Sequence, residues 1–342
     1  MYLQSLATAF PPASFSQAEC LQMLTESGVL NGLRVRSRNL LGKVLTGDSG
    51  IEKRHFCEPD LKRTFGWNAD ELHRYFEKNA PKLSSAALLK ACDLASLKPD
   101  SIDALLICTC TGYLCPGLSS YVSEALGLRP NAFLQDLLGL GCGAALPLLE
   151  AARGFLAANP HATVATVAVE ISSAAFYLND EAGVLISLCL FGDGAAAAIW
   201  QGRNRGGQFR FQNFRTLHKP DHREKVRFVH SNGRLKNQLH RDVPSLAAQA
   251  VAELFSSRSE NPDRVVAHNG GRDVIEAIEQ AIPSHQLSET REVLRQFGNI
   301  SSPSVLAGLE ESLKSFPTAH SLWLTGFGAG FAAHSGELKR ES

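Results

Sequence analysis

Three residues of the types used in acyl transfer each lie in a glycine-bearing turn of this sequence. Cys142 follows the stretch 139–141, His268 precedes 269–271, and Asn299 comes directly after a glycine. A thiol attacks a thioester as thiolate, and a helix N-terminus and a nearby imidazole both favour that form. His268 and Asn299 can donate hydrogen bonds to an oxygen that becomes negative during the reaction. The pattern therefore predicts a cysteine-based acyl-transfer site.

The length and composition limit the size of the fold that positions these residues and the kinds of partner it could bind. The chain has 342 residues, enough for one large α/β unit or two fused halves. Its formal net charge is zero, which argues against binding nucleic acid or an anionic membrane through overall charge. The start of the chain lacks a signal-peptide pattern, and no apolar stretch is long enough to span a membrane. We therefore expect a cytoplasmic protein with no nucleic-acid or membrane partner.

The cysteine pattern favours free thiols. Eight cysteines occur without a CxxC pair, and several lie in apolar stretches such as 105–108. Reduced thiols in a reducing compartment fit this usage better than a disulfide framework. Cys108, Cys110 and Cys115 are close in sequence, but no histidine lies near enough to complete a usual zinc set, so we expect no metal.

Eight basic residues cluster locally between positions 34 and 63. Each one alone is expected to be a solvated surface residue, but together they could meet a phosphorylated ligand. The set is Arg34, Arg36, Arg38, Lys43, Lys53, Arg54, Lys62 and Arg63.

Three sequence blocks recur in the same order in the two halves of the chain. They are a β-prone run after an aspartate (103–112 and 263–270), a glycine turn before a helical stretch (138–157 and 297–316), and a Phe-Gly turn before small residues (191–197 and 327–333). Ordered matches at similar spacing indicate a duplicated βαβ-type unit. We therefore divide the chain into a first half, 1–200, a connection, 201–226, and a second half, 227–342.

The duplication has consequences for the site. Cys142 and Asn299 would occupy equivalent turns, and His268 would be equivalent to Cys110 or Thr111. Alternating strands and amphipathic helices predict mainly parallel or mixed sheets covered by helices. Two sheets that share a central helical layer would place Cys142 at the N-terminus of a core helix, where the helix dipole favours a thiolate.

Several motifs, taken in order, are those of a known family. They lie at 108–112 with 116–117, 126–130, 190–195, 268–271, 298–302 and 326–330. In this order and spacing the chain resembles the thiolase-fold condensing enzymes nearly end to end, and among them the type III polyketide synthases of the chalcone and stilbene synthase kind. The resemblance implies an α/β fold, a five-layer αβαβα thiolase-like arrangement of two pseudo-twofold-related halves, and a homodimer.

The resemblance also implies roles by position. Cys142 would carry the starter and the growing chain as a thioester. His268 and Asn299 would bind the malonyl thioester carbonyl, promote loss of carbon dioxide and stabilise the enolate. Phe191 would form an apolar wall that disfavours a carboxylate. The substrates would be an acyl-CoA starter and malonyl-CoA, with no further cofactor.

Other positions are carried over with less specific roles. The resemblance places two further groups near substrate. One is a substrate-binding set, which besides Phe191 contains Cys110, Thr111, Cys115, Asn237 and Ser301; the other is a coenzyme A phosphate-binding pair, Lys53 and Arg54. Asp193, by contrast, is expected to accept backbone N–H bonds in a buried turn.

The chain departs from the family pattern at four of the motif positions. Asn237 stands where plant members have a second gate phenylalanine, and Cys115 where they have a methionine that reaches into the partner subunit. Asn269 and Ala329 replace prolines, which is expected to loosen those turns without removing a catalytic group.

Three functions remain open at this stage. The first is an iterative type III polyketide synthase. The second is a single-round enzyme like β-ketoacyl synthase III, which shares the Cys/His/Asn set and could take an acyl carrier protein through the basic cluster. The third is a non-catalytic partner subunit of a condensing heterodimer, against which the presence of all three catalytic residues argues. A papain-like hydrolase shares the residue types but not the duplicated framework.

Overall fold

A computed structural model describes residues 1–204 and 209–341. Within these residues nine strands form one large sheet and two short hairpin-like pairs stand apart from it. The strands are β1 (Tyr2–Ala9), β2 (Ala13–Ser16), β3 (Lys53–Phe56), β4 (Ala104–Thr109), β5 (Phe133–Leu138), β6 (Thr163–Glu170), β7 (Gly194–Gln201), β8 (Phe209–His218), β9 (Val226–Ser231), β10 (Arg234–Leu239), β11 (Arg264–Ala267), β12 (Ser321–Gly328) and β13 (Ala332–Arg340).

Ten α-helices surround and divide this sheet in the described part of the chain. They are α1 (Gln17–Glu26), α2 (Val35–Thr46), α3 (Ala69–Leu94), α4 (Leu118–Leu126), α5 (Ala145–Ala158), α6 (Ala182–Leu190), α7 (Val243–Ser256), α8 (Arg272–Ala281), α9 (Ser288–Phe297) and α10 (Ser304–Ser315).

The strand order shows the duplication directly. It runs β5-β4-β6-β7-β1-β8-β13-β12-β11. Outward from the central pair, β7, β6 and β4 follow β1 on one side, and β13, β12 and β11 follow β8 on the other. On one side β4 and β6 are parallel and β6 and β7 antiparallel; on the other β11 and β12 are parallel and β12 and β13 antiparallel. The expected two related halves of mixed sheet are therefore confirmed.

The two halves of the sheet meet at one narrow junction. Tyr2 pairs with Arg210, and the N–H of Phe211 donates to the carbonyl of Met1 at 2.9 Å. The expectation of two separate sheets is corrected to this extent, because β1 and β8 come close enough at their ends to exchange backbone hydrogen bonds.

Helices α5 and α10 form the central layer between the two halves. Both faces of β4, β6, β7, β11 and β12 are buried, and neighbouring residues on one of these strands point to different layers. On β4, for example, Leu106 packs toward α5 in the central cluster while Leu105 packs toward α3 and α4. On β11, Val266 joins the central cluster and Val265 packs toward α7 and α8. This side-chain alternation on buried strands gives five layers in the order αβαβα, as expected.

This arrangement positions the turns that carry Cys142, His268 and Asn299. The turn that carries Cys142 leads into α5, and the turn that carries Asn299 leads toward α10, so the two central helices begin at equivalent places in the two halves. His268 follows β11 directly, as Cys110 follows β4. The core that positions the site is thus the same central layer that unites the halves.

The predicted connection at 201–226 differs from the structure. Residues 209–218 form β8, a ten-residue strand that pairs with β13. Its inward residues Phe209 and Phe211 belong to the central cluster, so burial of their rings draws this polar segment into the sheet. Residues 205–208 of the predicted connection lie outside the described residues.

No helix in residues 1–204 and 209–341 combines the length and the apolar character that a membrane crossing requires.

Candidate active site

Cys142 lies at the tip of a tight turn directly before α5. Residues Gly141–Gly143 form a single 3-10 turn, and α5 begins at Ala145. The Ser301 hydroxyl donates to the Cys142 thiol at 3.2 Å. Cys142 is therefore held at a helix start by a residue from the other half of the chain.

The end of β12 supports this turn from below. A methyl group built on Gly328 would lie 2.6 Å from the backbone nitrogen of Gly143, 2.8 Å from the carbonyl oxygen of Leu140 and 2.9 Å from the backbone nitrogen of Cys142. Only glycine permits so close an approach of two backbones. The turn of Cys142 and the end of β12 thus form one packed unit.

His268 is buried beside the cavity that Cys142 faces. Its backbone N–H donates to the Thr325 carbonyl at 2.8 Å, which fixes the residue at the end of β11, and its ring packs edge-on against Phe327. Burial lowers the pKa of His268 to about 3, and a hydrogen bond with the backbone of Ser301 acts in the opposite direction. The imidazole is therefore neutral at neutral pH, and its Nδ1 makes no hydrogen bond within the described residues.

Asn299 is fixed by its backbone and by its side chain. Its N–H donates to the Leu190 carbonyl at 2.9 Å, and its carbonyl accepts from the Gly192 N–H at 3.0 Å. Its side-chain oxygen accepts from the Ser301 N–H at 2.8 Å, while its side-chain nitrogen lies 3.4 Å from the Gly270 carbonyl. Because the oxygen is occupied, the amide presents N–H donors to the cavity.

One small cavity brings the three residues together. It has a volume of about 40 Å³, and its walls include Cys142, His268, Asn299, Phe191, Phe228 and Asn237. We refer to it as the catalytic cavity. Residues that are far apart in the sequence and come from both halves therefore converge on one site.

The thiol of Cys142 is protonated in the resting site. Burial raises the pKa of Cys142 to about 12; the hydrogen bond from Ser301 opposes this rise and the nearby Glu170 carboxyl adds to it. The sequence favoured a thiolate because of the helix start and the imidazole. In the structure the imidazole is neutral and supplies no positive charge, so the thiol and imidazole are both uncharged until substrate arrives.

A buried carboxyl group, Glu170, lies at the end of β6 beneath the thiols. It accepts from the Ser302 hydroxyl at 2.5 Å, from the Thr111 hydroxyl at 2.9 Å, and from the Cys110 N–H and thiol at 3.0 and 3.2 Å. The Ser301 hydroxyl lies 3.4 Å from the same carboxyl and 3.4 Å from the Cys110 thiol. Burial raises the pKa of Glu170, and its hydroxyl, thiol and N–H donors oppose that rise.

Two more cavities adjoin the catalytic one. The inner cavity, of about 30 Å³, includes Thr111, Ser187, Phe191, Phe228, Asn237 and Ser301 in its walls. The outer hollow, of about 730 Å³, is wider, and its walls include Cys110, Thr111, Arg223, Arg227, Phe228 and Arg234. The structure thus places Cys110, Thr111 and Ser301 around the space next to Cys142, consistent with their expected position near an acyl chain.

Asn237 enters the site on a hairpin that stands outside the main sheet. Strands β9 and β10 pair so that Asn237 is directly opposite Phe228. The Asn237 side-chain nitrogen donates to the Ser187 hydroxyl at 3.0 Å, and Asn237 borders both the inner and the catalytic cavities. Asn237 therefore contributes a polar side chain where the plant members of the family have a phenylalanine.

The structure assigns Arg54 a place different from the expected one. Its side chain is 2% exposed, and its guanidinium donates to the carbonyls of Leu188 and Phe191, both at 2.8 Å. A side chain that is buried and hydrogen-bonded to carbonyls inside the protein cannot contact the phosphates of coenzyme A at the surface. The expected phosphate-binding role of Arg54 is corrected. Lys53 is half-buried on the same strand.

Two further expectations can be compared with the structure. Cys115 is exposed and is not part of the walls of the three cavities, so the structure does not bring it to substrate within its own subunit. Asp193 is fully buried and accepts N–H bonds from Cys57 and Ser173, both at 2.9 Å, in agreement with a structural role in its turn. Burial raises the pKa of Asp193 to about 6.

Sequence reasoning missed three residues near the site. Glu170 carried one available signal, since it is a single acidic residue at the end of an apolar strand. Phe228 borders all three cavities but lies in a segment without a motif. Asn269 was noted only as a proline replacement; its side chain donates to the Gly298 carbonyl at 2.9 Å and joins the His268 and Asn299 turns.

Comparison with known proteins gives one consistent result. The family profile described as FAE1/type III polyketide synthase-like protein matches residues 14–257. The chain is 24% identical over 335 residues to phloroglucinol synthase of Pseudomonas fluorescens, covering 94% of this chain and 96% of that one. It is 28% identical over 320 residues to 3,5-dihydroxyphenylacetyl-CoA synthase of Amycolatopsis orientalis, covering 89% and 84%.

Solved structures show the same fold. PKS-I from the brown alga Ectocarpus siliculosus superimposes with a TM-score of 0.90 at 22% identity, covering 99% of this chain and 98% of that one. The 1,3,6,8-tetrahydroxynaphthalene synthase of Streptomyces coelicolor A3(2) superimposes with a TM-score of 0.88 at 22% identity, covering both chains completely.

Proposed function

Because this chain belongs to the FAE1/type III polyketide synthase-like family, we propose that its cavity extends an acyl starter by decarboxylative condensation, with Cys142 as nucleophile and His268 and Asn299 as enolate-stabilising residues. The family makes the protein a decarboxylating condensing acyltransferase. The substrates proposed for it are an acyl-CoA starter and malonyl-CoA, without an added cofactor.

Loading begins from an uncharged pair. The Cys142 thiol loses its proton to neutral His268 as sulfur attacks the thioester carbonyl of the starter. The new carbon–sulfur bond forms as the bond to coenzyme A breaks, and the proton then passes to the leaving thiolate. The Ser301 hydroxyl, 3.2 Å from the Cys142 thiol, stabilises the negative charge that develops on sulfur.

In the extension step His268 and Asn299 both act as hydrogen-bond donors. Loss of carbon dioxide from malonyl-CoA leaves its electron pair on the thioester as an enolate, whose oxygen accepts hydrogen bonds from His268 and Asn299. The enolate carbon attacks the Cys142 thioester, a carbon–carbon bond forms, and Cys142 leaves as thiolate. The Phe191 ring in the cavity wall offers the carboxylate no hydrogen bond, which favours its loss.

The observation that carries this proposal is the convergence of Cys142, His268 and Asn299 on one cavity of about 40 Å³. The Asn299 oxygen is held by the Ser301 N–H, so its amide hydrogens face the place where the enolate oxygen would form. The same convergence argues against a non-catalytic partner subunit, which would have no need of these groups.

The test separates the three roles. Cys142→Ala is expected to abolish covalent loading by an acyl-CoA while leaving some malonyl-CoA decarboxylation. His268→Ala and Asn299→Ala are expected to permit some loading and to reduce decarboxylation by about 100- to 1000-fold, the usual cost of one oxyanion donor. Intact-protein mass spectrometry measures loading, and release of acetyl-CoA measures decarboxylation.

Acylation of Cys142→Ala by the starter would place the nucleophile elsewhere and reject the proposal. Equal loss of loading and decarboxylation in Asn299→Ala would reject the assignment of Asn299 to the enolate. His268→Ala is expected to slow loading as well, because His268 takes the Cys142 proton. The masses of products formed with a panel of acyl-CoA starters distinguish an iterative synthase from a single-round enzyme, since the latter stops after one two-carbon addition.

The phosphates of coenzyme A need a cationic surface near the cavity. Arg36, Arg38 and Lys43 are exposed on α2 and form no ion pair with the described residues, and Lys53 follows on β3. We assign the phosphate contacts to this group. An acyl carrier protein, as the alternative donor, would meet the same cations, because its phosphopantetheine arm is also flanked by negative charge.

A homodimer is also part of the proposal. Strand β5 is the outermost strand of the first half, and it pairs only with β4. Its Phe133, Leu134 and Leu138 side chains are 46%, 37% and 40% exposed. An edge strand with three exposed large apolar residues favours pairing with a second copy of the same strand.

A further inference from the structure

Arg54 is a buried cation that has no acidic partner. It lies on β3 with 2% of its surface exposed, and it forms no ion pair with a carboxylate in residues 1–204 or 209–341. Its guanidinium carbon lies 5.2 Å from the centre of the Phe56 ring. Burying a charge without a counter-charge is unfavourable unless hydrogen bonds hold it, so its hydrogen bonds identify what it does.

Those hydrogen bonds converge on the end of α6. Arg54 Nη1 donates to the carbonyls of Leu188 and Phe191, both at 2.8 Å, and Arg54 Nε donates to the Gln17 side-chain oxygen at 2.9 Å. Gln17 in turn donates to the Cys189 carbonyl at 2.9 Å. The last carbonyls of a helix have no partner within the helix, and a cation there also complements the helix dipole.

The same short segment carries Asn299. The Leu190 carbonyl accepts from the Asn299 N–H, and the Gly192 N–H donates to the Asn299 carbonyl, so Phe191 and Asn299 are bridged as neighbouring strand residues. The stem of Arg54 also packs against Gly298: a methyl group there would lie 2.8 Å from Arg54 Cγ.

We infer that Arg54 is a positioning residue for decarboxylation, which fixes the Phe191 wall and the Asn299 donor in one geometry. The inference rests on the function proposed above. Arg54 supports the Leu188–Gly192 backbone from one side and Gly298 from the other, so both enolate-facing elements share its support. The backbone of the Cys142 turn packs instead on the end of β12, and the Ser301 hydroxyl links its thiol to the Asn299 segment, so we expect loading to depend less on Arg54 than decarboxylation does.

The test compares Arg54→Met with Arg54→Lys in the full-length protein. Methionine keeps an apolar stem beside Gly298 but removes every donor, while lysine keeps the charge and can reach a backbone carbonyl. We expect Arg54→Met to slow malonyl-CoA decarboxylation by about 10- to 100-fold, the cost of displacing a catalytic group by about 1 Å. Loading of Cys142 should stay within about fivefold of wild type, and Arg54→Lys should recover part of the lost decarboxylation.

A matched control uses the same helix end. Gln17→Met removes the hydrogen bond to the Cys189 carbonyl and the one from Arg54 Nε, but it leaves Phe191 and Gly298 in contact with Arg54. It should change decarboxylation by about fivefold or less. Arg74→Met, at an exposed position on α3, controls for loss of a positive charge. The starter used is whichever of malonyl-, acetyl-, hexanoyl- or benzoyl-CoA loads the wild-type protein fastest.

Equal effects on loading and decarboxylation in Arg54→Met, or no effect on either, would overturn the inference and reduce Arg54 to a packing residue. If Arg54→Met does not fold, the same comparison made with Arg54→Lys decides. A wild-type protein that neither loads nor decarboxylates would instead contradict the proposed function, so the two failures are distinguishable.

Discussion

The side chain of Asn269 donates a hydrogen bond of 2.9 Å to the carbonyl of Gly298, and this bond joins the turn of His268 to the turn of Asn299. Asn269 is fully buried, so the Gly298 carbonyl would have no water to replace it. The bond therefore links the residue after His268 to the residue before Asn299, the two enolate donors proposed above. In sequence Asn269 replaces a proline of the family and is expected to loosen its turn; in the structure its side chain joins two turns.

Replacing this cross-link should affect stability and decarboxylation together. Asn269→Ala leaves a buried carbonyl unsatisfied, which costs about 1–3 kcal/mol. We expect unfolding at lower denaturant and a decarboxylation rate about tenfold lower, with loading of Cys142 nearly unchanged. Asn261→Ala, at an exposed position, is the control. Unchanged stability in Asn269→Ala would show that the bond contributes nothing to the native state.

Substitution of Asn237 should change specificity more than rate. Asn237→Phe fills space beside the inner cavity and removes the hydrogen bond to Ser187. We expect the preference among acyl-CoA starters, or the product length, to change by about tenfold, while malonyl-CoA decarboxylation is largely kept. Gln238→Phe is the matched control, since the next residue of a strand points to the opposite face. Equal loss of both activities would mean that Asn237 is structural.

The reactivity of Cys142 toward iodoacetamide should depend steeply on pH. Burial raises the pKa of Cys142 to about 12, so the thiolate fraction is small at pH 7 and grows about tenfold per pH unit up to pH 10. The alkylation rate, read from the Cys142 peptide by mass spectrometry, should rise in the same way. Ser301→Ala should lower the rate at each pH, because the hydrogen bond from Ser301 lowers the pKa of the thiol. A plateau below pH 7 would instead reveal an imidazolium–thiolate pair.

Two glycine substitutions should have opposite effects on stability. Gly328→Ala places a methyl group 2.6 Å from the Gly143 nitrogen and should destabilise the protein by about 1–3 kcal/mol and slow loading. Gly154→Ala, on the exposed side of α5 with no atom within 4 Å of the new methyl group, should stabilise it by about 0.5–1 kcal/mol. Denaturant titration measures both. A fully active Gly328→Ala would show that β12 does not support the nucleophile turn.

The proposed dimer gives a prediction at the edge of the sheet. Leu134→Arg introduces a charge on β5 and should shift the protein to a monomer in light scattering at micromolar concentration. Leu94→Arg, at an equally apolar exposed position at the end of α3, should leave the assembly unchanged. A wild-type protein that is already monomeric would contradict the dimer itself.

The sequence was most informative where chemistry requires a local motif. Cys142, His268 and Asn299 could be found because each needs a glycine turn next to it, and turn chemistry is local. The duplicated halves could also be predicted, since repeated motifs in a repeated order survive in the sequence even when the contacts between them do not.

The sequence was least informative where burial decides. Arg54 looked like a surface cation because arginine is usually exposed; its true surroundings are carbonyls of α6, far away in sequence. Strand β8 was missed because its alternating pattern is diluted by charged residues on the solvent side. The hydrogen-bond donors to Glu170 come from 109–111 and 301–302. No local sequence pattern predicts that these segments meet.

The packing of β12 beneath the nucleophile turn also bears on how the protein is made. Residues 321–340 form the β12–β13 hairpin, which leaves the ribosome after every other element described here. Cys142 is synthesised nearly two hundred residues earlier, yet its turn can pack against Gly328 only after Gly328 has been synthesised. During translation the Cys142 turn therefore lacks this packing partner until the β12–β13 hairpin has been synthesised.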